Sequence, residues 1–302
     1  MIFRGALLLL CYQPTRVVGY NTITLPAGQQ YTLIAIPFDA IGSADGYTID
    51  DLFAGKSMEI FTAAPAYNNA DQIQVWNGKS YNTLYLNKNT LTTGTNPQKN
   101  GHWCNTGAAP DSSWGANGGV CTKKFPAGTS FWIKRKIPAS GAASDLAELT
   151  VMVAGQVVVK QDGKTGYVIN AGTDDAFGYT LIAAGFSAAF APNPDLAYAD
   201  VAKVNWEEMG CYAAAAYNNA DQMQFWNGSA YNTLYLNKNT LTTGTNPQKN
   251  GHWCNTGAAP DSSWGANGGP CIKAFDPTVG FWYKRAKKQG SFTFYIDQPY
   301  SL

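Results

Sequence analysis

Charge is scarce in this chain. Asp, Glu, Lys and Arg make up 14 % of its 302 residues, against roughly 25 % in an ordinary soluble domain. The signs nearly cancel, with 21 basic and 20 acidic side chains. A nucleic-acid binder needs a clustered positive field. No surplus exists here to build one, so no nucleic-acid partner is expected. Long apolar runs are also missing, so no transmembrane segment of helical type is expected.

Metal and phosphate signatures are equally thin. The paired short Cys spacings of structural zinc sites do not occur. Zinc at His102, Cys104 and Cys121 would lack a fourth ligand. Neither Asp45, Asp50 and Asp51 nor Asp174 and Asp175 fit an EF-hand loop. They read as solvated acidic turns. Gly115-Ala-Asn-Gly-Gly119 is followed by Cys121 instead of opening a helix, so it is a flexible turn and no phosphate cradle. The expectation is no metal and no cofactor. The small basic clusters at Lys134–Lys136 and at Lys284, Arg285, Lys287 and Lys288 read as solvated strand ends, the alternative being contact with an anionic glycan or lipid.

What the chain has is an internal repeat. Tyr67–Gly119 recurs as Tyr217–Gly269 at an offset of 150, with 49 of 53 positions identical. The differences are Ile73/Met223, Val75/Phe225, Lys79/Ser229 and Ser80/Ala230. Self-similarity on this scale argues for two structural units, and the length suffices for two cores.

Each copy carries alternating runs, Gln72–Trp76 and Lys79–Leu86, around Asn77-Gly78, the strongest local hairpin signal. Other strands are expected at Val17–Leu25, Tyr31–Phe38, Thr129–Arg135 and Leu149–Gln156. Their counterparts are Thr165–Ile169, Tyr179–Phe186, Val279–Arg285 and Ser291–Gln298. Thr48–Gly55 reads as a short helix, capped by Thr48 and ended by Gly55. A longer helix is expected from Asn193-Pro194 to Met209. Leu149–Gln156 matches Ser291–Gln298 at an offset of only 142, so repeat one has an eight-residue insertion before its closing strand. The fold class expected is all-β: two tandem, internally repeated antiparallel β-sandwich or barrel-like domains, each with a short helix, over 13–160 and 161–302.

The six cysteines include two matched pairs, Cys104/Cys121 and Cys254/Cys271, each separated by 16 residues. The expectation is one disulfide per repeat, which needs an oxidising compartment. Such a loop closure is worth about 3 kcal/mol. Cys211 has no counterpart, since Phe61 holds its place. Met1–Arg4 followed by Gly5–Tyr12 has the shape of a short export signal, and equally of a first strand.

The string Val17-Val-Gly-Tyr20, Leu25-Pro-Ala-Gly28, Tyr31-Thr-Leu33 and Pro37-Phe38 is followed by an Asp-Leu-Phe helix, a Trp-Asn-Gly hairpin and a Gly-x-x-Phe-Trp strand. Together they resemble exported repeat domains of uncharacterised function in some Gram-negative bacteria. The resemblance covers most of both repeats, with Gly185-Phe186 in place of the Pro-Phe pair in the second. It implies export and an all-β domain, and no activity.

Trp103, Trp114, Trp253 and Trp264 lie in polar loops with few apolar neighbours. A ring there either plugs its loop onto the sheet or faces a ligand. With Asp111 and Asp261 beside them, these are the ligand-binding candidates, since sugars stack on aromatics and hydrogen-bond to carboxylates. The functional expectation is an exported or cell-surface, non-enzymatic binding protein. Its partner would be a glycan or another surface ligand. The rival is a structural subunit of a surface layer or extracellular fibre that pairs with copies of itself. A third reading is a glycan-active enzyme using Asp71 or Asp111, with no marked carboxylate pair to support it.

Overall fold

The computed structural model describes residues 18–43, 45–89, 99–157, 164–183, 206–238, 251–273 and 276–297. In the first repeat the strands are β1 (Val18–Leu25), β2 (Tyr31–Ala35), β3 (Gln72–Trp76), β4 (Tyr81–Leu86), β5 (Trp103–Asn105), β6 (Ser130–Lys134) and β7 (Leu149–Gln156). In the second they are β8 (Lys164–Ile169), β9 (Gly178–Ala183), β10 (Gln222–Trp226), β11 (Tyr231–Leu236), β12 (Trp253–Asn255), β13 (Gly280–Arg285) and β14 (Phe292–Asp297).

The two repeats share one topology. Each has a five-stranded antiparallel sheet, ordered β2-β6-β3-β4-β5 and β9-β13-β10-β11-β12. Each also has a two-stranded ribbon, β1-β7 and β8-β14, joining the opening strand to the closing one. The protein is therefore all-β, with two tandem sandwich units.

Alternation along the strands explains the layering, because successive side chains point to opposite faces. Ile73 and Val75 of β3, Leu84 and Leu86 of β4, and Phe131 and Ile133 of β6 face one way. They meet Ile23, Leu25, Val151 and Val153 of the ribbon in one core. The second repeat repeats this with Met223, Phe225, Leu234, Leu236, Phe281 and Tyr283.

Helix α1 (Ile49–Leu52) covers the first core with Ile49 and Leu52. Thr48 caps it as expected, its Oγ1 accepting from the Asp51 N–H at 3.1 Å. A second turn not expected from the sequence, α2 (Ser57–Ile60), follows Gly55. Of the longer helix expected in repeat two, only α3 (Trp206–Met209) lies within the described residues. Asn193-Pro194 falls outside them.

The hairpin forms where the sequence places it, one residue out of step. The last strand pair is Trp76↔Tyr81, and the Asn77 N–H donates to the Ser80 carbonyl at 3.0 Å. Gly78 and Lys79 are thus the central residues, with Gly78 at a φ of 97°. Asn77 serves by its side chain, Oδ1 accepting from the Lys79 and Ser80 N–H groups at 3.0 and 2.9 Å.

Candidate functional site

The faces that look away from the two cores carry tryptophan. In the first sheet they hold Tyr31, Gln74, Trp76, Tyr81 and Trp132, as the registers Trp76↔Tyr81 and Gln74↔Trp132 require. The second sheet presents Tyr179, Gln224, Trp226, Tyr231 and Trp282 in the same way. These two faces pack on each other. Trp132 meets Trp226 edge to face, centroids 5.5 Å apart at 82°. Trp76 meets Trp282 at 5.4 Å and 84°.

Since 76 and 226, like 132 and 282, are matched positions, the contact is isologous. The first repeat's residue i touches the second's j, and its j touches the second's i. The sheets approach closely enough that a Cβ on Gly280 would lie 2.7 Å from the Ser130 Cβ. The Ala35 N–H donates across the interface to the Thr278 carbonyl at 2.8 Å. The Trp226 indole N–H donates to the Tyr31 carbonyl at 3.1 Å. The matched Trp76 indole N–H has no acceptor among the described residues.

The packing leaves a cleft of about 220 Å³, lined by Tyr31, Gln74, Tyr81, Trp132, Trp226 and Tyr231. Trp132 donates its indole N–H to the Tyr81 hydroxyl at 3.2 Å. Tyr81 and Tyr231 stand at the rim, 39 % and 40 % exposed. The amide of Gln74 supplies both a donor and an acceptor among the rings.

The loop tryptophans are elsewhere. Trp103 is fully buried on β5, its Nε1 donating to Ser57 Oγ at 3.0 Å and its ring 5.5 Å from that of Phe61. Trp114 is buried against Phe125. Trp253 packs on Trp206 and Tyr283, and Trp264 on Phe225. All four plug their loops onto their own sheets, so none offers a ring face to a ligand. The reason is that β5 and β12 join the sheets as edge strands, which turns an apparently polar loop into part of the core.

The same register corrects the disulfides. Cys104 lies opposite Tyr85 and Val120, on the face away from the core. Cys121 donates its backbone N–H to the Trp103 carbonyl and faces the core with that ring. The two sulfurs sit on opposite sides of the sheet. Cys254 and Cys271 repeat the arrangement. Cys104, Cys121, Cys211, Cys254 and Cys271 are buried and form no disulfide with one another. Cys11 lies outside the described residues. Burial pushes the Cys104, Cys121 and Cys271 thiols up to about 11, and that of Cys211 to about 12. The opposed directions also prevent His102, Cys104 and Cys121 from converging on one ion. The His102 Nδ1 instead meets Asp50 Oδ2 at 2.7 Å.

The aspartates serve locally. Asp111 and Asp261 are exposed and cap the turns Ser112–Trp114 and Ser262–Trp264, each accepting from the serine two residues on. Those serine hydrogen bonds hold both carboxyls below the usual range. Asp71 is buried and accepts from the Thr62 and Lys136 N–H groups. Burial raises its pKa against the pull of those bonds. Asp221 accepts from the N–H groups of Tyr212 and Ala286, from the Tyr283 hydroxyl and from Arg285.

Comparison of the chain with family models, with curated proteins and with solved structures gives no match. The intersheet cleft was accessible to sequence reasoning in one respect. Period-2 alternation already sets Trp76 on the face opposite Ile73 and Val75, and its recurrence as Trp226 points to a second such face.

Proposed function

We propose that the protein is an exported or cell-surface, non-enzymatic protein that binds glycans, and that the intersheet cleft is where it does so. The observation carrying this reading is the cleft lining, aromatic rings around a single amide. Sugar rings present apolar C–H faces to aromatics and hydroxyls to an amide. At about 220 Å³ the space is below the roughly 300–1,000 Å³ of pockets for drug-sized ligands, and suits one ring of a longer chain. Export rests on the low charge, the N-terminal apolar segment and the resemblance, and draws no support from the cysteines.

A glycan array followed by calorimetric titration tests the reading. Gln74→Leu keeps the volume while removing the amide, and Tyr81→Phe removes a rim hydroxyl. Each variant is expected to weaken binding by about tenfold, the scale of one hydrogen-bonded group at 1.4 kcal/mol, with the melting temperature kept in Gln74→Leu and lowered in Tyr81→Phe, which leaves the Trp132 indole N–H without its acceptor. Undiminished binding in both variants would place any glycan site elsewhere.

Self-association is the second reading, favoured by the ribbons. Among the described strands neither β1-β7 nor β8-β14 pairs with a third strand. Tyr20, Met152 and Val168 stand exposed on them, at 68–70 %. Open strand edges are templates for pairing with another chain. Sedimentation velocity over a concentration series separates the readings, since a binding protein of this kind stays at one size without its ligand.

A further inference from the structure

Arg135 and Arg285 occupy matched positions and are equally buried, each 5 % exposed. Their surroundings differ. Arg285 has three acceptors. Its Nη1 donates to Asp221 Oδ2 at 2.5 Å and to the Gly210 carbonyl at 2.8 Å, and its Nε to the Gly290 carbonyl at 3.0 Å. The Arg135 side chain has one, the Pro26 carbonyl at 3.4 Å. Asp71 attracts it at longer range while hydrogen-bonding to backbone N–H groups instead.

A guanidinium carries five N–H donors in a planar fork, so most of those on Arg135 have no acceptor among the described residues. They are not sealed in, because none is among the buried atoms lacking a partner. The side chain instead lines a groove of about 540 Å³. Pro138, Ala139 and Asp145 to Ala147 line it as well, and the segment they belong to contains the insertion that repeat two lacks. Asp145 lines the same groove without pairing to Arg135. A buried cation left this open in one repeat, while its copy is fully engaged in the other, marks a place for an external acceptor.

We propose that this groove binds the carboxylate of an acidic sugar. The planar fork of Arg135 matches a carboxylate bidentately. Asp145 accepts from ring hydroxyls and at the same time repels a bare anion, which selects a hydroxylated ligand. Pro138 and Leu146 offer an apolar wall to the C–H face of the ring. The second repeat has no equivalent, since Arg285 is already occupied. The groove is separate from the intersheet cleft.

The experiment is titration of the full chain with glucuronate, glucose, acetate and sulfate. Glucuronate is expected to bind at least about tenfold more tightly than glucose, which lacks the charge-assisted pair at about 1.5–3 kcal/mol, and about tenfold more tightly than acetate and sulfate, which lack the ring hydroxyls that Asp145 accepts from. Arg135→Lys keeps the charge, loses the fork, and should weaken glucuronate by about tenfold. Asp145→Asn, at an exposed position that cannot unfold the chain, should weaken glucuronate and leave acetate unchanged or tighter. Gln74→Leu should leave glucuronate binding as it was, which keeps this test independent of the cleft. Glucose or sulfate binding as tightly as glucuronate overturns the proposal, as does no glucuronate binding, or full affinity retained in Asp145→Asn.

Discussion

Trp132 of the first repeat stands edge to face against Trp226 of the second, centroids 5.5 Å apart. It is one half of a self-complementary contact whose other half is Trp76 with Trp282. The arrangement gives a physical account of part of the near-identity between the repeats. Residues of the tryptophan face touch copies of themselves or of their neighbours, so a change in one repeat must suit both. The four differences in the copied block fit this. Ile73/Met223 and Val75/Phe225 face the separate cores, and Lys79/Ser229 and Ser80/Ala230 lie in the hairpin turns.

The interface predicts coupling. Aromatic pairs of this geometry contribute about 0.5–1.5 kcal/mol beyond burial. A double-mutant cycle with Trp132→Leu and Trp226→Leu, followed by urea unfolding, should return a coupling energy in that range. The cycle Trp132→Leu with Trp76→Leu, two residues of one sheet that form no ring pair with each other, should return less. Equal couplings would mean that the contact across the repeats has no special weight.

Cysteine chemistry follows from the sheet register. Reduction should leave the mass of the native protein unchanged at the four positions Cys104, Cys121, Cys254 and Cys271. Alkylation at pH 8 should be slow at all of them, because each is buried and only the thiolate reacts. Unfolding in denaturant should make them react together. A gain of two hydrogens per repeat on reduction would contradict the opposed sulfurs.

Much of the fold was legible in the sequence because its signals are local. Alternation located β3, β4, β6 and β7, and Thr48 announced its helix. The site was less legible because it depends on what packs against what. Cys104 and Cys121 are matched in both repeats and invite pairing, yet a parity of one residue in the ladder sends them to opposite faces. Trp103 has polar neighbours in sequence and apolar ones in space, because β5 adds to the edge at β4 and sets the ring against Phe53 and Phe61. No local pattern states that the two tryptophan faces will meet.

His252 supplies a pH dependence. It is buried, and burial lowers its pKa from the usual 6.5. A depressed folded-state pKa means that the unfolded chain binds the proton more readily. The stabilising contribution is therefore present above about pH 6.5 and is lost as pH falls through the lower folded-state value. Melting temperature should drop between pH 7 and pH 5 in the wild type. In His252→Gln the slope of that drop should be smaller, whatever the variant's absolute stability. An identical slope would assign the acid sensitivity to other groups.

The two matched acid–base pairs should respond unequally to truncation. Asp221 and Arg285 form a buried ion pair at 2.5 Å, with Tyr283 and two backbone N–H groups completing the carboxylate's partners. Removing one member of such a pair leaves the other charge buried and unpaired, at a cost of about 3–5 kcal/mol. Asp71 and Arg135 share no hydrogen bond, and Arg135 already lines the groove. Arg135→Ala should then leave Asp71 with both of its backbone donors and cost less than Arg285→Ala by about 2 kcal/mol, since it forgoes about half of that penalty. Urea unfolding of the two variants measures the difference directly. It also tests the premise of the acidic-sugar groove, because an arginine that proved as costly to remove as Arg285 would be a structural residue, not one left open for a ligand.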